Sequence, residues 1–479
     1  MNAGLSMRGR AGRVLGPLAF LVLVLLPPPD GMSTSAQHLA AVALWMAVWW
    51  ITEAVPIPAT ALLPIVLFPL FGIMPATTVT QAYSHHLIYL FMGGFMIAVT
   101  MERWNLHRRI ALHLISRIGT APLRLVLGFM VATAFLSMWI SNTAAAMMMV
   151  TIGIAVLKQL LPEGDHQNEP LGNALMLGIA YAASIGGVAT LIGSPPNAIL
   201  AGVLEQQYQL RIGFADWMLF ALPLSLVMLS LTWVYLTRIA FRLDRRVMPE
   251  AAGLIHTQLQ GLGAMTTPEK RVAWIFGLVA MLWVTHGLID WAPLRAVRDS
   301  TIAIAGALAL FIIPAGRGQS GALLDWKTAV RIPWDIIILF GGGFALAAGF
   351  SETGLTVWLA EQLHVLKGVP ELWVVLAVGL LVIFLTELTS NTATASLVLP
   401  VLGSLALALQ MPPPVLMVTA TLCASFAFML PVATPPNAII FGSRCIGITQ
   451  MARAGFFLNL LGVISITAFV YLWLPLTGL

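Results

Sequence analysis

The sequence predicts an all-α polytopic membrane protein with two inverted repeats. About 11 transmembrane helices, two re-entrant hairpins and discontinuous helices at mid-membrane are expected. Three observations carry this expectation. Of the 479 residues, 59% are hydrophobic and 9% charged, and the mean hydropathy is +0.92; soluble proteins carry about a quarter charged residues. Apolar stretches of about 18 or more residues recur along the whole chain, the length a spanning helix needs. They are continuous and not alternating, which argues against a β-barrel. Finally, three blocks occur twice in the same order. "LFMGGF" at 90–95 returns as "LFGGGF" at 339–344, "FLSMWISNTAAA" at 135–146 as "FLTELTSNTATA" at 384–395, and "GSPPNAIL" at 193–200 as "ATPPNAII" at 433–440.

Taken in order, the apolar runs fall at 14–29, 37–54, 57–74, 86–101, 122–157, 171–205, 214–240, 270–290, 298–315, 333–350, 369–408, 413–443 and 452–476. Arg8, Arg10 and Arg13 precede the first run. It reads as a first span, because no small-x-small cleavage site follows directly, as a signal peptide requires. The runs at 122–157 and 369–408 carry the SNT triplets at their midpoints, and each half is too short for an ordinary crossing. A hairpin that enters, turns at the triplet and leaves on the same side fits that length. Such backbone is tolerated at membrane depth only inside protein or beside a watery cavity. Segments 102–118 and 351–366 read as amphipathic helices along the interface. The stretch 237–261 reads as a cytoplasmic connector between the halves.

Charge sets the orientation. With both hairpins re-entrant and the N-terminus inside, 20 of the 24 Lys and Arg residues fall inside; Arg211, Arg295, Arg298 and Lys367 fall outside. This bias gives a cytoplasmic N-terminus and an external C-terminus. The span before the first hairpin then runs inward and its counterpart at 333–350 runs outward, so the repeats are inverted, as in many secondary transporters. The net charge of +5 needs no nucleic acid to explain it. Cys423 and Cys445 suggest neither a disulfide framework nor a metal site. "GxxxxGK[ST]" is absent, so ATP is not the direct driver, and the absence of "HExxH" and "GxSxG" argues against an intramembrane enzyme.

The triplets carry the chemistry. Ser, Asn and Thr are favoured helix N-caps, and the alanines after them are strong helix formers. Each triplet therefore starts the second half-helix of its hairpin and aims that helix's positive end and free N–H groups at the tip. An anion binds there without arginine. The carbonyls that end the preceding half-helix suit a cation. In "SPPN" and "TPPN", Ser194 or Thr434 is the cap, and Pro195 or Pro435 takes the first helical position, where its missing N–H costs nothing. No Lys or Arg lies between Lys158 and Arg211, or between Lys367 and Arg444. Hydroxyls, amides, helix ends and co-bound Na⁺ are what remains to meet an anion.

Other features have blander readings. The "GGF" pairs read as close helix packing, and the Met run 147–149 as core. Glu53 and Glu387 are either functional intramembrane acids or hydrogen-bonding groups near span ends. His85, His86 and His286 read as interfacial.

The paired SNT triplets, the paired [S/T]PPN breaks, "WWITEAVPIPATALLP" and "ASFAFMLPVATPPNAII" resemble the divalent anion–sodium symporter family, which includes INDY-type dicarboxylate and citrate carriers. The resemblance implies a homodimer in the plasma (inner) membrane, with a dimerising scaffold (1–118 and 213–366) and an elevator-type transport domain (119–212 and 367–479). It implies one Na⁺ site from Ser137, Ser141, Asn142 and the Gly193 carbonyl, and a second from Thr386, Thr389, Asn391 and the Ala433 carbonyl. It places substrate at Ser141, Asn142, Thr143, Ser390, Asn391 and Thr392, completed by Ser194, Pro195, Thr434 and Pro435. Thr389 stands where some relatives have a smaller residue; if only its carbonyl is used, that changes little. The implied function is Na⁺-coupled import of C4-dicarboxylates such as succinate, malate and fumarate. A sulfate or citrate carrier, or an exchanger, is the alternative.

Overall fold

The computed structural model describes residues 7–160, 169–243, 249–288, 296–316, 319 and 321–477. Residues 244–248 of the expected connector, the end of the expected span 270–290, and Arg245, Arg246, Arg295 and Arg317 lie outside them. The described residues are helical throughout, apart from turns and a single bridge between Pro314 and Ala322.

Among the described residues, seven helices are long and apolar enough to cross a membrane, or eight if one bent pair is a single span. Several of the other expected spans are built from shorter or interrupted helices, which this length criterion does not include. The run 57–74 divides into Ile57–Thr60 and Leu63–Leu70. Asp299–Ile312 and Pro413–Ser425 are apolar but short.

The four long motif-bearing runs all break where the motifs stand. Run 122–157 becomes Pro122–Ser137 and Asn142–Leu160, and run 369–408 becomes Glu371–Thr386 and Asn391–Ala408. Run 171–205 becomes Pro170–Val188 and Pro195–Tyr208, and run 413–443 becomes Pro413–Ser425 and Pro435–Gly442. Side-chain capping holds at two of the four breaks. The Ala144 N–H donates to Ser141 Oγ at 3.2 Å, and the Asn437 N–H to Thr434 Oγ1 at 3.3 Å. Ser194 and Ser390 have extended cap backbones, but their hydroxyls accept no capping bond. The Ser194 hydroxyl instead faces Ser425 Oγ at 3.3 Å. Proline at the first helical position already lacks an N–H to satisfy, which weakens the demand for a cap at Ser194.

Small residues set how closely these pieces pack, as in membrane bundles generally. Every residue from Leu171 to Val188 is buried. A Cβ on Gly186 would lie 2.2 Å from the Ala134 carbonyl oxygen of the neighbouring hairpin arm. The "GGF" glycines behave as expected. A Cβ on Gly93 would stand 2.6 Å from the Ala303 backbone, and one on Gly342 2.6 Å from the Ala61 carbonyl oxygen. The Met run is only partly core: Met149 is buried, whereas Met147 is 56% exposed.

The two amphipathic segments form helices Leu106–Ile118 and Leu355–Leu363. The first is tied down by Arg109, whose Nε lies 2.9 Å from Glu269 at the start of helix Thr267–Thr285. The second, continued to Leu366, makes an angle of 116° with Glu371–Thr386. If that arm runs along the membrane normal, the helix before it lies nearly flat. The N-terminal helix Met7–Leu25 packs on Thr34–Thr52, with Trp49 Nε1 donating to the Gly12 carbonyl at 3.1 Å.

Candidate functional site

Both hairpin tips and both proline breaks open onto one cavity of about 760 Å³. Ser141, Asn142 and Thr143 line it from one tip, and Ser390, Asn391 and Thr392 from the other. Gly193, Ser194 and Pro195 line it from one break, and Ala433, Thr434 and Pro435 from the other. Arg331 also lines the cavity, as do Glu53, Glu102 and Asp335. Arg331, Glu53 and Asp335 are exposed, so they belong to its mouth. The inner wall presents hydroxyls, amides and helix N-termini without a fixed cation, which is the surface dipoles can offer an anion.

Behind the wall, the two halves repeat one hydrogen-bond frame. The Ser137 hydroxyl donates toward the Ala183 carbonyl at 2.7 Å and stands beside Asn142 Oδ1. The Thr386 hydroxyl does the same with the Ala424 carbonyl at 3.0 Å and Asn391 Oδ1 at 2.7 Å. Ser137 and Thr386 therefore orient the asparagines and do not line the cavity. Thr389 does not line it either: its hydroxyl donates within the arm to Leu385 O at 3.0 Å and meets Thr394 Oγ1 at 2.6 Å.

Backbone crowding explains the glycines of the first break. A Cβ on Gly193 would stand 2.5 Å from the Gly187 carbonyl oxygen and 2.9 Å from that of Ser137. A Cβ on Gly187 would stand 2.5 Å from Asn142 Oδ1 and 2.8 Å from the Gly193 carbonyl oxygen. Oxygens of Gly187, Gly193, Ser137 and Asn142 thus crowd together at this break, with Asn142 Nδ2 and Asn197 Nδ2 among them as donors.

Sequence reasoning missed two residues that hold the breaks in shape. Asn197 Nδ2 donates to Thr190 O at 2.8 Å and reaches Gly187 O at 3.2 Å. Asn437 Nδ2 donates to Ala427 O at 3.0 Å and Leu430 O at 3.1 Å. The signal in the sequence is the matched asparagine of the two "PPN" motifs, Asn197 and Asn437.

Glu387 resolves into its structural alternative. Its carboxylate accepts from the N–H groups of Phe428 (2.8 Å), Met429 (2.8 Å) and Leu430 (2.9 Å), and from Asn459 Nδ2 (2.8 Å). Those bonds end helix Pro413–Ser425 early. In the first repeat the Glu387 position is Met138, and helix Pro170–Val188 runs three residues further by the repeat alignment. Glu53 ends helix Thr34–Thr52 in a left-handed conformation (φ 49°) and faces the cavity mouth.

The family profile described as "Sodium:sulfate symporter transmembrane region" matches residues 10–479. The chain belongs to the sodium:sulfate symporter family. Within that symporter family it is similar to the "Sodium-dependent dicarboxylate transporter SdcS" of Staphylococcus saprophyticus, 46% identical over 482 residues that cover 99% of this chain and 93% of the relative. It is equally similar to the SdcS of Staphylococcus aureus USA300, 46% identical, covering 97% and 91%. Two solved structures share the fold. The Alcanivorax borkumensis YdaH transporter superposes with a TM-score of 0.61 at 14% identity, covering 92% of this chain and 98% of that one. Neisseria gonorrhoeae MtrF gives 0.59 at 13%, covering 98% and 96%. As a symporter-family chain, it is a multi-pass integral membrane carrier and not an enzyme.

Proposed function

We propose that this protein is a Na⁺-coupled symporter of C4-dicarboxylates. The observation that carries the reading is that two hairpin tips, each with a Ser-Asn-Thr triplet, line one cavity. A dianion with two separated charges uses both tips; a compact one uses them unequally. The names of the SdcS relatives support the same substrate class. Asn142, Thr143, Asn391 and Thr392 are assigned to the carboxylates, with Ser194, Pro195, Thr434 and Pro435 completing the site. The oxygens around Ser137, Gly187, Gly193 and Asn142 form one Na⁺ site; the region of Thr386, Thr389, Asn391 and Ala433 forms the second. An asparagine side chain has one oxygen for a cation and two N–H donors for an anion, so Asn142 and Asn391 link the two ligands.

We further assign 119–212 and 367–479 to a transport part that moves as an elevator, and 1–118 and 213–366 to a scaffold that dimerises in the plasma membrane. The exposed residues at the cavity mouth, Glu53, Arg331 and Asp335, fall inside by the charge bias of the loops. The described conformation is then inward-facing, with a cytoplasmic N-terminus.

The test is competition against labelled succinate in proteoliposomes with a Na⁺ gradient. Fumarate and malate are expected to compete strongly, and butyrate poorly, because it leaves one tip's donors unpaired. A hydrogen bond to a charged group contributes roughly 1.5–3 kcal/mol. Thr143→Ala and Thr392→Ala should therefore each weaken apparent succinate affinity by about one to two orders of magnitude. Strong inhibition by sulfate with none by fumarate would overturn the assignment and favour a sulfate carrier. Equal inhibition by butyrate would remove the two-ended site, and uptake driven without Na⁺ by internal dicarboxylate alone would favour an exchanger.

A further inference from the structure

One side-chain cluster lies outside the cavity and plays no part in that cycle as described. His85 and His86 begin helix His86–Arg103, and Arg298 stands at the start of helix Asp299–Ile312, which packs along it. Glu205 lies far along Pro195–Tyr208, the helix that begins at the first proline break. The cluster therefore joins the proposed scaffold to the proposed transport part. Arg211 and Arg298, which belong to it, fall outside by the same charge bias.

The two oxygens of Glu205 have separate tasks. Oε1 pairs with Arg298 Nη1 at 3.1 Å and with Arg211 Nε at 3.2 Å. Oε2 faces the two imidazoles, 2.6 Å from His86 Nε2 and 3.7 Å from His85 Nε2. One ligand atom from each of His85, His86 and Glu205 lies within 4.8 Å of the others. The imidazole centroids are 4.6 Å apart, and the Glu205 side chain is 16% exposed.

We propose that His85, His86 and Glu205 form a binding site for a divalent transition-metal ion of the zinc class, and that the bound ion fastens the transport part to the scaffold and arrests transport. Two imidazoles and one carboxylate are the donor set of an open tetrahedral zinc site, with water in the fourth position. Ligands about 2.0–2.1 Å from such an ion stand roughly 3.3 Å from one another, so side-chain shifts of about 1 Å complete the geometry. Na⁺, Mg²⁺ and Ca²⁺ prefer a shell of oxygens and are poor matches for two ring nitrogens. The arginines on Oε1 supply the outer hydrogen bonds that hold a liganding carboxylate in place. Without metal, the His–Glu contact is a polar pair that each cycle breaks and remakes. With metal, it becomes coordination from both sides of the moving boundary. This staple rests on the division into scaffold and transport part; the metal site itself does not.

The experiment has two readouts on the full-length protein. In detergent, Co²⁺ and Zn²⁺ are titrated into the purified chain. One equivalent of Co²⁺ per protomer should give the intense visible absorption of tetrahedral coordination, displaced by Zn²⁺. In proteoliposomes, external Zn²⁺ should inhibit Na⁺-driven succinate uptake. His86→Gln and His85→Gln should each raise the half-inhibitory Zn²⁺ concentration at least tenfold while metal-free uptake persists. Co²⁺ binding unchanged in the His85→Gln/His86→Gln double variant, or no binding by the wild type, would overturn the site. Zn²⁺ binding without inhibition would overturn the staple and leave the symport reading standing. Loss of metal-free uptake in the wild type is a failure of the symport reading alone, because the Co²⁺ titration does not depend on it.

Discussion

Asn142→Asp lowers Na⁺-driven succinate uptake in proteoliposomes at least about a hundredfold, with the protein still folded. The side chains have nearly the same shape, so packing against Gly187 and Ser137 is kept. What changes is the face toward the cavity. Two N–H donors disappear, which removes a charge-assisted hydrogen bond worth roughly 1.5–3 kcal/mol. A negative charge replaces them beside a dianion, and like charges in a cavity walled by protein repel more strongly than in bulk water. Together the two effects exceed about 3 kcal/mol, or roughly two orders of magnitude in affinity. Na⁺ still finds an oxygen at that position, so cation binding should survive where anion binding fails. Uptake equal to wild type would remove Asn142 from the substrate site.

The second large effect is on stability. Glu387→Ala should prevent accumulation of folded protein. It strips the carboxylate from the N–H groups of Met429 and Leu430 and from Asn459 Nδ2, and it leaves the Phe428 N–H only Asn459 Oδ1 at 3.3 Å. Each unpaired buried donor costs roughly 1–3 kcal/mol. Glu387→Gln separates hydrogen bonding from charge. Gln keeps one acceptor oxygen but turns an NH₂ group toward a donor. A folded protein with a lower thermal midpoint in detergent is expected, destabilised by about 2–4 kcal/mol. A midpoint unchanged in Glu387→Ala would show that the Met429 and Leu430 N–H groups find another partner.

Much of the fold was legible because its motifs are punctuated by chemistry. Prolines and triplets interrupt apolar runs, and the helices break at those places in both halves. The convergence of the two tips was legible through the duplication alone. The supporting frame was less so. Nothing local announces that Ser137 reaches Ala183, or Thr386 reaches Ala424, because those contacts join segments about 40 residues apart. Nor does an isolated acid reveal whether it faces a ligand or a row of amides; Glu387 required the position of residues 428–430. Helix length was less legible. Apolar run length measures hydrophobic content, and several runs divide into shorter helices that a chain folded on itself buries as readily as long ones.

The unequal ends of Pro170–Val188 and Pro413–Ser425 have a further consequence. Beside one tip a helix continues to its break; beside the other a carboxylate has unwound it. Ser137 on one side answers Thr386 on the other, and Gly187 answers Ala427 by the repeat alignment. The two-fold relation of the halves is thus only approximate, and a substrate lying between them does not meet a mirror or a dyad. An unsymmetrical guest such as malate has two inequivalent ways to lie there, and its two hands are inequivalent in both. The chiral wall also distinguishes the two hands of malate, so the enantiomers should differ in inhibition constant against labelled succinate, and for each hand the two orientations should differ in energy where an exact dyad would make them equal. Equal constants would mean that the hydroxyl points into open water.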